Sequence, residues 1–149
     1  MRYRLKIATW TVVRDGGVPS PRELGTASAA AELVKDLVRE HDDDKEHFWV
    51  LVVDQKHGLR SIVPVSIGTQ TGTLVHPREV FGPALREGAV AIILAHNHPS
   101  GDPTPSREDI RLTRQLVEAG TLLDVKVHDH VIVGNGSLAW VSMAERGLL

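Results

Sequence analysis

At 149 residues, 42% hydrophobic and 24% charged, the chain fits one globular domain able to bury roughly 68–70% of the surface its unfolded form exposes. A formal net charge of −2, with lysine and arginine scattered among acids, offers no global attraction to nucleic acid, so a nucleic-acid partner remains possible but is unsupported by charge. The absence of cysteine excludes disulfides, thiolate zinc fingers and cysteine nucleophiles, so any metal must be held by nitrogen and oxygen. The longest apolar run, Ala89 to Ala95, is too short for a membrane span, and MRYRLKIATW lacks the apolar core of a secretory signal. The expectation is a cytoplasmic chain with no membrane partner.

Residues 1–25 read as an N-terminal extension of uncertain role, with a short expected strand over Tyr3–Val13 and a Gly/Pro turn at Asp15–Pro21. From residue 26 to 149 the pattern is that of the main domain. In TASAAAELVKDLVREHDDD, Ala30, Leu33, Val34, Leu37 and Val38 recur at helical spacing, with Thr26 or Ser28 as N-cap. The acidic run Asp42–Asp44 ends that helix in a solvated connection. His47–Asp54 and Leu59–Ser66 are strand-like and are separated by Gln55-Lys56-His57-Gly58, which supplies hairpin turn chemistry. FWVLVVD is the expected central strand.

The segment HPREVFGPALREG opens with a proline that a first helical turn tolerates and stops at Gly88, which predicts a helix across residues 77–87. The unbroken AVAIILA suits a strand covered on both faces, with His96 where it runs out. SREDIRLTRQLVEAG places Ile110, Thr113, Leu116 and Val117 on one side of a helix, with Gly120 as its stop. Strand candidates Leu122–His128 and His130–Val133, a Gly-Asn-Gly turn at 134–136 and a last strand Ser137–Ser142 complete one α/β layer structure with a mixed sheet and no internal repeat.

The stretch AHNHPSGDPTPSREDI holds the chemistry. Residues two apart on a strand project to the same side, so His96 and His98 can face one ion, and Asp109, eleven residues beyond His98, can return through the loop as an oxygen ligand. Two histidines and a carboxylate form a catalytic zinc set, leaving a fourth position for water whose pKa the metal lowers to about 7. Pro99, Pro103 and Pro105 stiffen the loop and Gly101 permits an unusual turn. Ser106-x-x-Asp109 is also the spacing of a helix capping box, so cap and ligand stand as alternatives for Asp109. For the proton carrier that hydrolysis needs, the candidate is Glu46, at the start of the central strand; the alternative is an exposed charge, and Glu79 and Glu108 have plainer solvent-facing explanations on helices.

These residues resemble the JAMM (JAB/MPN) metalloprotease motif: an upstream Glu46, then His96-Asn97-His98, then Ser106-Arg107-Glu108-Asp109. The longer string HPREVFGPALREGAVAIILAHNHPSGDPTPSREDI, with DHVIVG at 129–134 and SMAERGLL at the end, is similar to the bacterial RadC-like branch over roughly residues 25–149. The resemblance implies a single-domain JAB/MPN-like, cytidine deaminase-like fold with a mixed β-sheet flanked by helices. It also implies one Zn2+ held by His96, His98 and Asp109, with Glu46 as general base and acid and Ser106 stabilising an oxyanion. The implied reaction is hydrolysis of a peptide or isopeptide bond, and the implied partner is a peptide or isopeptide-linked protein substrate, which could bind as an added strand at a sheet edge.

Two other readings accompany it: a non-catalytic metal-binding interaction module, and a DNA-repair-associated protein of the RadC-like kind. Longer RadC-like proteins carry an N-terminal helix-hairpin-helix domain, which the first 25 residues do not resemble, so the DNA reading loses its main support. A match of His96-Asn97-His98 to HNH nucleases is coincidental, because the members of that motif are dispersed. His128-Asp129-His130 is either a second metal site or, as favoured here, a structural hydrogen-bonded pair. His41, His47, His57 and His76 are expected to be solvent-exposed, and Trp10, Trp49 and Trp140 to pack in the core or sheet.

Overall fold

The computed structural model describes residues 22–41, 44–68 and 75–149. The expected strand Tyr3–Val13, the turn Asp15–Pro21 and Trp10 lie outside the described residues, as do Asp42 and Asp43. The layers follow from side-chain alternation along β1 (Glu46–Val53) and β3 (Ala91–His98), two adjacent antiparallel strands almost fully buried over their length. Trp49, Leu51, Val53, Ala91, Ile93 and Ala95 face one way, and Phe48, Val50, Val52, Ile92 and Leu94 face the other. Each set is apolar, so each face needs a cover.

The first face is covered by α1 (Ala27–His41), through Leu33, Val34 and Leu37. The second is covered by α2 (Pro77–Arg86), through Val80 and Phe81, and by α3 (Arg107–Leu123), through Leu116. The sheet is completed by β2 (Leu59–Gly68), β4 (Lys126–Gly134) and β5 (Trp140–Ser142), in the order β2-β1-β3-β4-β5. Only β3 and β4 run parallel, with α3 as the crossover between them; the other neighbouring pairs are antiparallel. This is the mixed sheet flanked by helices that the sequence predicts.

Local signals explain most boundaries. The Thr26 hydroxyl caps α1 by accepting from the Ala29 amide at 3.1 Å. In the β1–β2 hairpin the Asp54 carboxylate accepts from the Lys56 and Gly58 amides at 2.8 and 2.9 Å, which closes the turn and, through those two bonds, lowers the carboxyl's pKa. Pro77 begins α2 and Gly88, at φ +66°, follows its end.

Three expectations are corrected. Gly120 does not stop its helix: α3 runs on to Leu123 and ends at Asp124, whose left-handed backbone (φ 55°) closes the last turn. Gly120 is there for contact, since a Cβ at that position would run into the Val125 carbonyl and come within 3.3 Å of the Phe81 ring. Second, the two strand candidates after it are one strand: Leu122 and Leu123 belong to the helix, and β4 begins at Lys126. Third, His47 is buried, its ring stacked on Trp49 at 5.3 Å and on the exposed His41 at 4.4 Å. His57 is exposed as expected, His76 is half-buried where exposure is expected, and the Trp49 and Trp140 assignments hold, with Trp49 in the core and Trp140 packed against it.

Alanine ordinarily favours a helix interior over glycine by about 1 kcal/mol. At Gly120 the backbone collision outweighs that gain, so Gly120→Ala is expected to destabilise the chain by roughly 1–3 kcal/mol, read as a lower midpoint in urea unfolding. A stabilised variant would show that the close approach of α3 to Val125 is not needed.

Candidate metal centre

The face of β3 that carries Ile92 and Leu94 does not end with them. Continuing the same alternation, His96 and His98 emerge on that side as the strand extends through both histidines, three residues beyond the expected end of its apolar run. On the neighbouring strand the face of Val52, Val50 and Phe48 continues to Glu46, the first residue of β1. The N-terminus of α3 brings Asp109 over the same spot. Among the described residues these four form the single cluster whose ligand atoms all lie within 4.8 Å of one another.

His96 Nε2 is 3.0 Å from His98 Nε2 and 3.3 Å from Asp109 Oδ1, and His98 Nε2 is 3.1 Å from Asp109 Oδ2. Ligands bound at 2.0–2.1 Å on a tetrahedral zinc lie about 3.3 Å apart, close to the separation of the two imidazole nitrogens from each other and of each from one oxygen of the Asp109 carboxylate. Glu46 Oε1 stands off, 3.6 Å from His96 Nε2 and 4.0 Å from His98 Nε2. His96 is sealed in at 2% side-chain exposure, whereas Glu46 keeps 23%.

The outer nitrogen of each ring is also engaged. His98 Nδ1 donates to the Asp102 carbonyl at 2.8 Å, and His96 Nδ1 lies 2.7 Å from His130 Nε2 on β4. The His96 ring stacks on Phe48 at 5.8 Å, and Phe48 meets His130 edge-on at 5.5 Å. Carboxylates acting only as acceptors therefore face ring nitrogens whose partners on the far side are already chosen, an arrangement that could hold a cation.

Electrostatics agree in direction. Burial disfavours charge on His98, but hydrogen bonds to Asp109 and the Asp102 carbonyl, with the nearby Glu46, outweigh it and raise its pKa. Burial likewise pushes the Asp109 carboxyl up, and the His96 and His98 contacts overturn that, holding it far below the ordinary carboxylate range. His130 is fully buried, and burial first, then the neighbouring His96, pushes its pKa well down.

The two alternatives for Asp109 turn out to be compatible. The Ser106 hydroxyl accepts from the Asp109 amide at 3.0 Å, while Asp109 Oδ2 accepts from the Ser106 amide at 2.8 Å, a complete capping box. The same carboxylate reaches both histidines. Ser106 Oγ uses acceptor capacity in the cap, which leaves its hydrogen for the cleft that it lines. The preceding loop is held by Gly101, whose φ of +90° no other residue adopts easily, and by His98 O, which accepts from the Gly101 and Asn135 amides.

Sequence reasoning missed two contributors. Asn97, 1% exposed and turned to the opposite face, accepts from the His47 amide at 2.7 Å and donates to the Lys45 carbonyl at 3.0 Å, gripping the backbone on both sides of Glu46. The sequence groups His130 with His128 and Asp129, but a register shift at that point of β4 separates their faces. The His128 ring lies tilted against His57 at 4.9 Å, and His128, Asp129 and His130 do not form a metal-ligand cluster. Asp129 is structural, accepting from the Ser142 hydroxyl and the Ala144 amide, and its bond to His130 runs through the His130 amide, not the ring. Glu79 is exposed on α2, and Glu108 lines the cleft without joining the cluster.

An α/β domain with a candidate metal centre at the ends of its central strands is the class this geometry defines. A model of the RadC-like JAB domain family matches residues 24–148, and the chain belongs to that family. It is 54% identical over 108 residues to a UPF0758 protein of Geotalea uraniireducens, covering 72% of this chain and 46% of that one. It is 45% identical over 132 residues to a UPF0758 protein of Syntrophomonas wolfei, covering 89% and 54%. The chain thus spans about half the length of these curated relatives. Among the described residues no helix is long and apolar enough to cross a membrane.

Cap and ligand can be separated by mutation. Asp109→Asn keeps an oxygen for the Ser106 amide but loses the charge, so metal affinity should drop while the urea midpoint changes little; Ser106→Ala should do the reverse, costing about 0.5–2 kcal/mol of stability while metal stays bound. Equal metal binding by Asp109→Asn and wild type would remove Asp109 from the ligand set. Protons compete for the same nitrogens, and because the His98 pKa is raised above 6.5, metal occupancy at limiting metal should begin to fall above pH 6.5 as the solution is acidified. Dialysis against a metal buffer at a series of pH values measures this.

Proposed function

We propose that this chain is a zinc-dependent hydrolase that cleaves a peptide or isopeptide bond. The observation that carries the reading is the convergence of His96, His98 and Asp109 at 3.0–3.3 Å, with Glu46 held slightly outside that triangle. His96, His98 and Asp109 would hold the ion, a nitrogen and oxygen donor set that suits zinc. Bound there, zinc supplies Lewis acidity, lowering the pKa of a water to about 7 and polarising a carbonyl oxygen.

The remaining work falls to the chain's own groups. Glu46, whose Oε1 stands 3.6 Å from His96 Nε2 and which is partly open to the cleft, takes the proton that the attacking water loses and returns it to the amine nitrogen as the C–N bond breaks. The Ser106 hydroxyl points its hydrogen toward the oxygen on which negative charge collects. A cleft of about 820 Å³ opens beside these groups, floored by Phe48, Val75 and Leu112 and edged by Arg107 and Arg111. Its size and its mixed apolar and polar wall leave room for a short peptide segment beside the cluster.

Protein purified without added metal is expected to contain close to one zinc per chain and to release the free amine from a panel of linear and lysine-linked isopeptides, followed by mass spectrometry. Glu46→Gln should keep its zinc and lose at least about 100-fold in turnover. Cleavage that survives in Glu46→Gln would take Glu46 out of the mechanism, and a wild-type chain that takes up no zinc would end the hydrolase reading.

A further inference from the structure

Behind His96, on the side away from the cleft, lies a line of polar groups that the proposed reaction does not use. Thr113 on α3 and His130 on β4 are both completely buried, at 0% exposure. Thr113 Oγ1 is 2.6 Å from the Asp109 carbonyl oxygen and 2.6 Å from His130 Nδ1, and His130 Nε2 is 2.7 Å from His96 Nδ1. Four groups are thus joined by three short contacts, and the direction of every bond follows from the first.

A carbonyl oxygen can only accept. The single hydroxyl hydrogen of Thr113 must therefore lie on the line to Asp109 O, because without it two oxygens would abut at 2.6 Å. Thr113 then has only lone pairs to offer His130, so Nδ1 of that ring carries the hydrogen. A buried imidazole with no carboxylate against its ring is neutral and holds one ring hydrogen, which leaves Nε2 bare. Bare Nε2 accepts from His96 Nδ1–H, and the one ring hydrogen of His96 is spent facing away from the cleft.

We propose that Thr113 and His130 are positioning residues for the metal, committing the ring hydrogen of His96 to Nδ1 and turning a bare Nε2 toward His98 and Asp109. The inference rests on the reading of His96 as a ligand. Its structural reason is local. His98 stands at the strand end, where the loop supplies the Asp102 carbonyl for the same purpose. His96 lies between β1 and β4, paired with Phe48 on one side and Ile132 on the other, where backbone carbonyls are committed to the sheet. An acceptor must come from a side chain on the neighbouring strand, and the parallel register, which sets His130 opposite Leu94, delivers it. Because the line starts at the carbonyl of Asp109, one ligand residue fixes the ring of another.

Two measurements on the full chain test this. In zinc-free protein in alkaline buffer, 15N spectra of the imidazoles should show His96 with hydrogen on Nδ1 and none on Nε2; the opposite tautomer overturns the proposal. In competition with a chromogenic chelator, His130→Ala and Thr113→Val should each bind zinc about 10- to 100-fold more weakly than wild type. His130→Gln, whose amide oxygen can accept from His96 and whose amide nitrogen can donate to Thr113, should recover most of that loss. Folded variants that bind within about twofold of wild type overturn the brace while leaving the hydrolase reading intact, whereas a wild type that takes up no zinc ends both. Should His130→Ala fail to fold, Thr113→Val, which keeps shape and removes only the hydroxyl, decides the matter through the same two readouts.

Discussion

Side-chain alternation along β3 is the constraint from which the rest of the molecule follows. Ile92 and Leu94 bind the helical layer to the sheet, and the next two residues on that face are His96 and His98. The apolar part of the face makes the position of the polar part rigid. A one-residue slip of register would turn both imidazoles to the α1 side and expose the core, so packing and site specify the same pairing. The same holds for β1, where burial of Phe48, Val50 and Val52 leaves Glu46 no choice of face.

Placing imidazoles at the end of a buried face has a consequence of its own. A polar group removed from water must find partners, and His96 at 2% exposure finds one on each side. Toward the core it has His130, and toward the cleft it has the other members of the cluster. Asn97 solves the same problem on the opposite face, with its carbonyl and both amide hydrogens used, by His47, Lys45 and Asn135. The two strands that carry Glu46 and the histidines diverge at this point, since their backbone pairing stops at Phe48 and His96. Asn97 bridges the gap that the backbone leaves.

How much of this could be read in the sequence depended on whether the signal was local. The helical and strand periods of residues 26–41, 46–66 and 107–117 announce their elements because apolar spacing is repeated several times in each. His96, His98 and Asp109 are legible for a related reason, being close in sequence and joined by a proline-stiffened loop. Glu46, fifty residues before His96, stands out only through its place at a strand start and the family resemblance, not through any local pattern. Gly120 misled because a helix stop and a helix–backbone contact look alike in one sequence; the distinction lies with Val125 and Phe81, which meet it only in the fold. The role of His130 was hidden more thoroughly, since the register shift beside His128 breaks the alternation that would have assigned its face.

Asp109 shows how few residues such a site can use. As the third residue of α3 it accepts from the Ser106 amide, and at a helix N-terminus a carboxylate is already favoured by the partial positive charge of the unpaired amides. That preference holds the carboxylate in place before any cation arrives, with little side-chain freedom left to lose on binding. The helix start is in turn fixed by Thr113, one turn on, whose hydroxyl ties the Asp109 carbonyl to His130. Displacing α3 along its axis would therefore break the cap, the carboxylate contacts and the support behind His96 together. Leu116 and Gly120, both buried on the same helix, pack it against the core, so ordinary core contacts help hold an aspartate against two histidines.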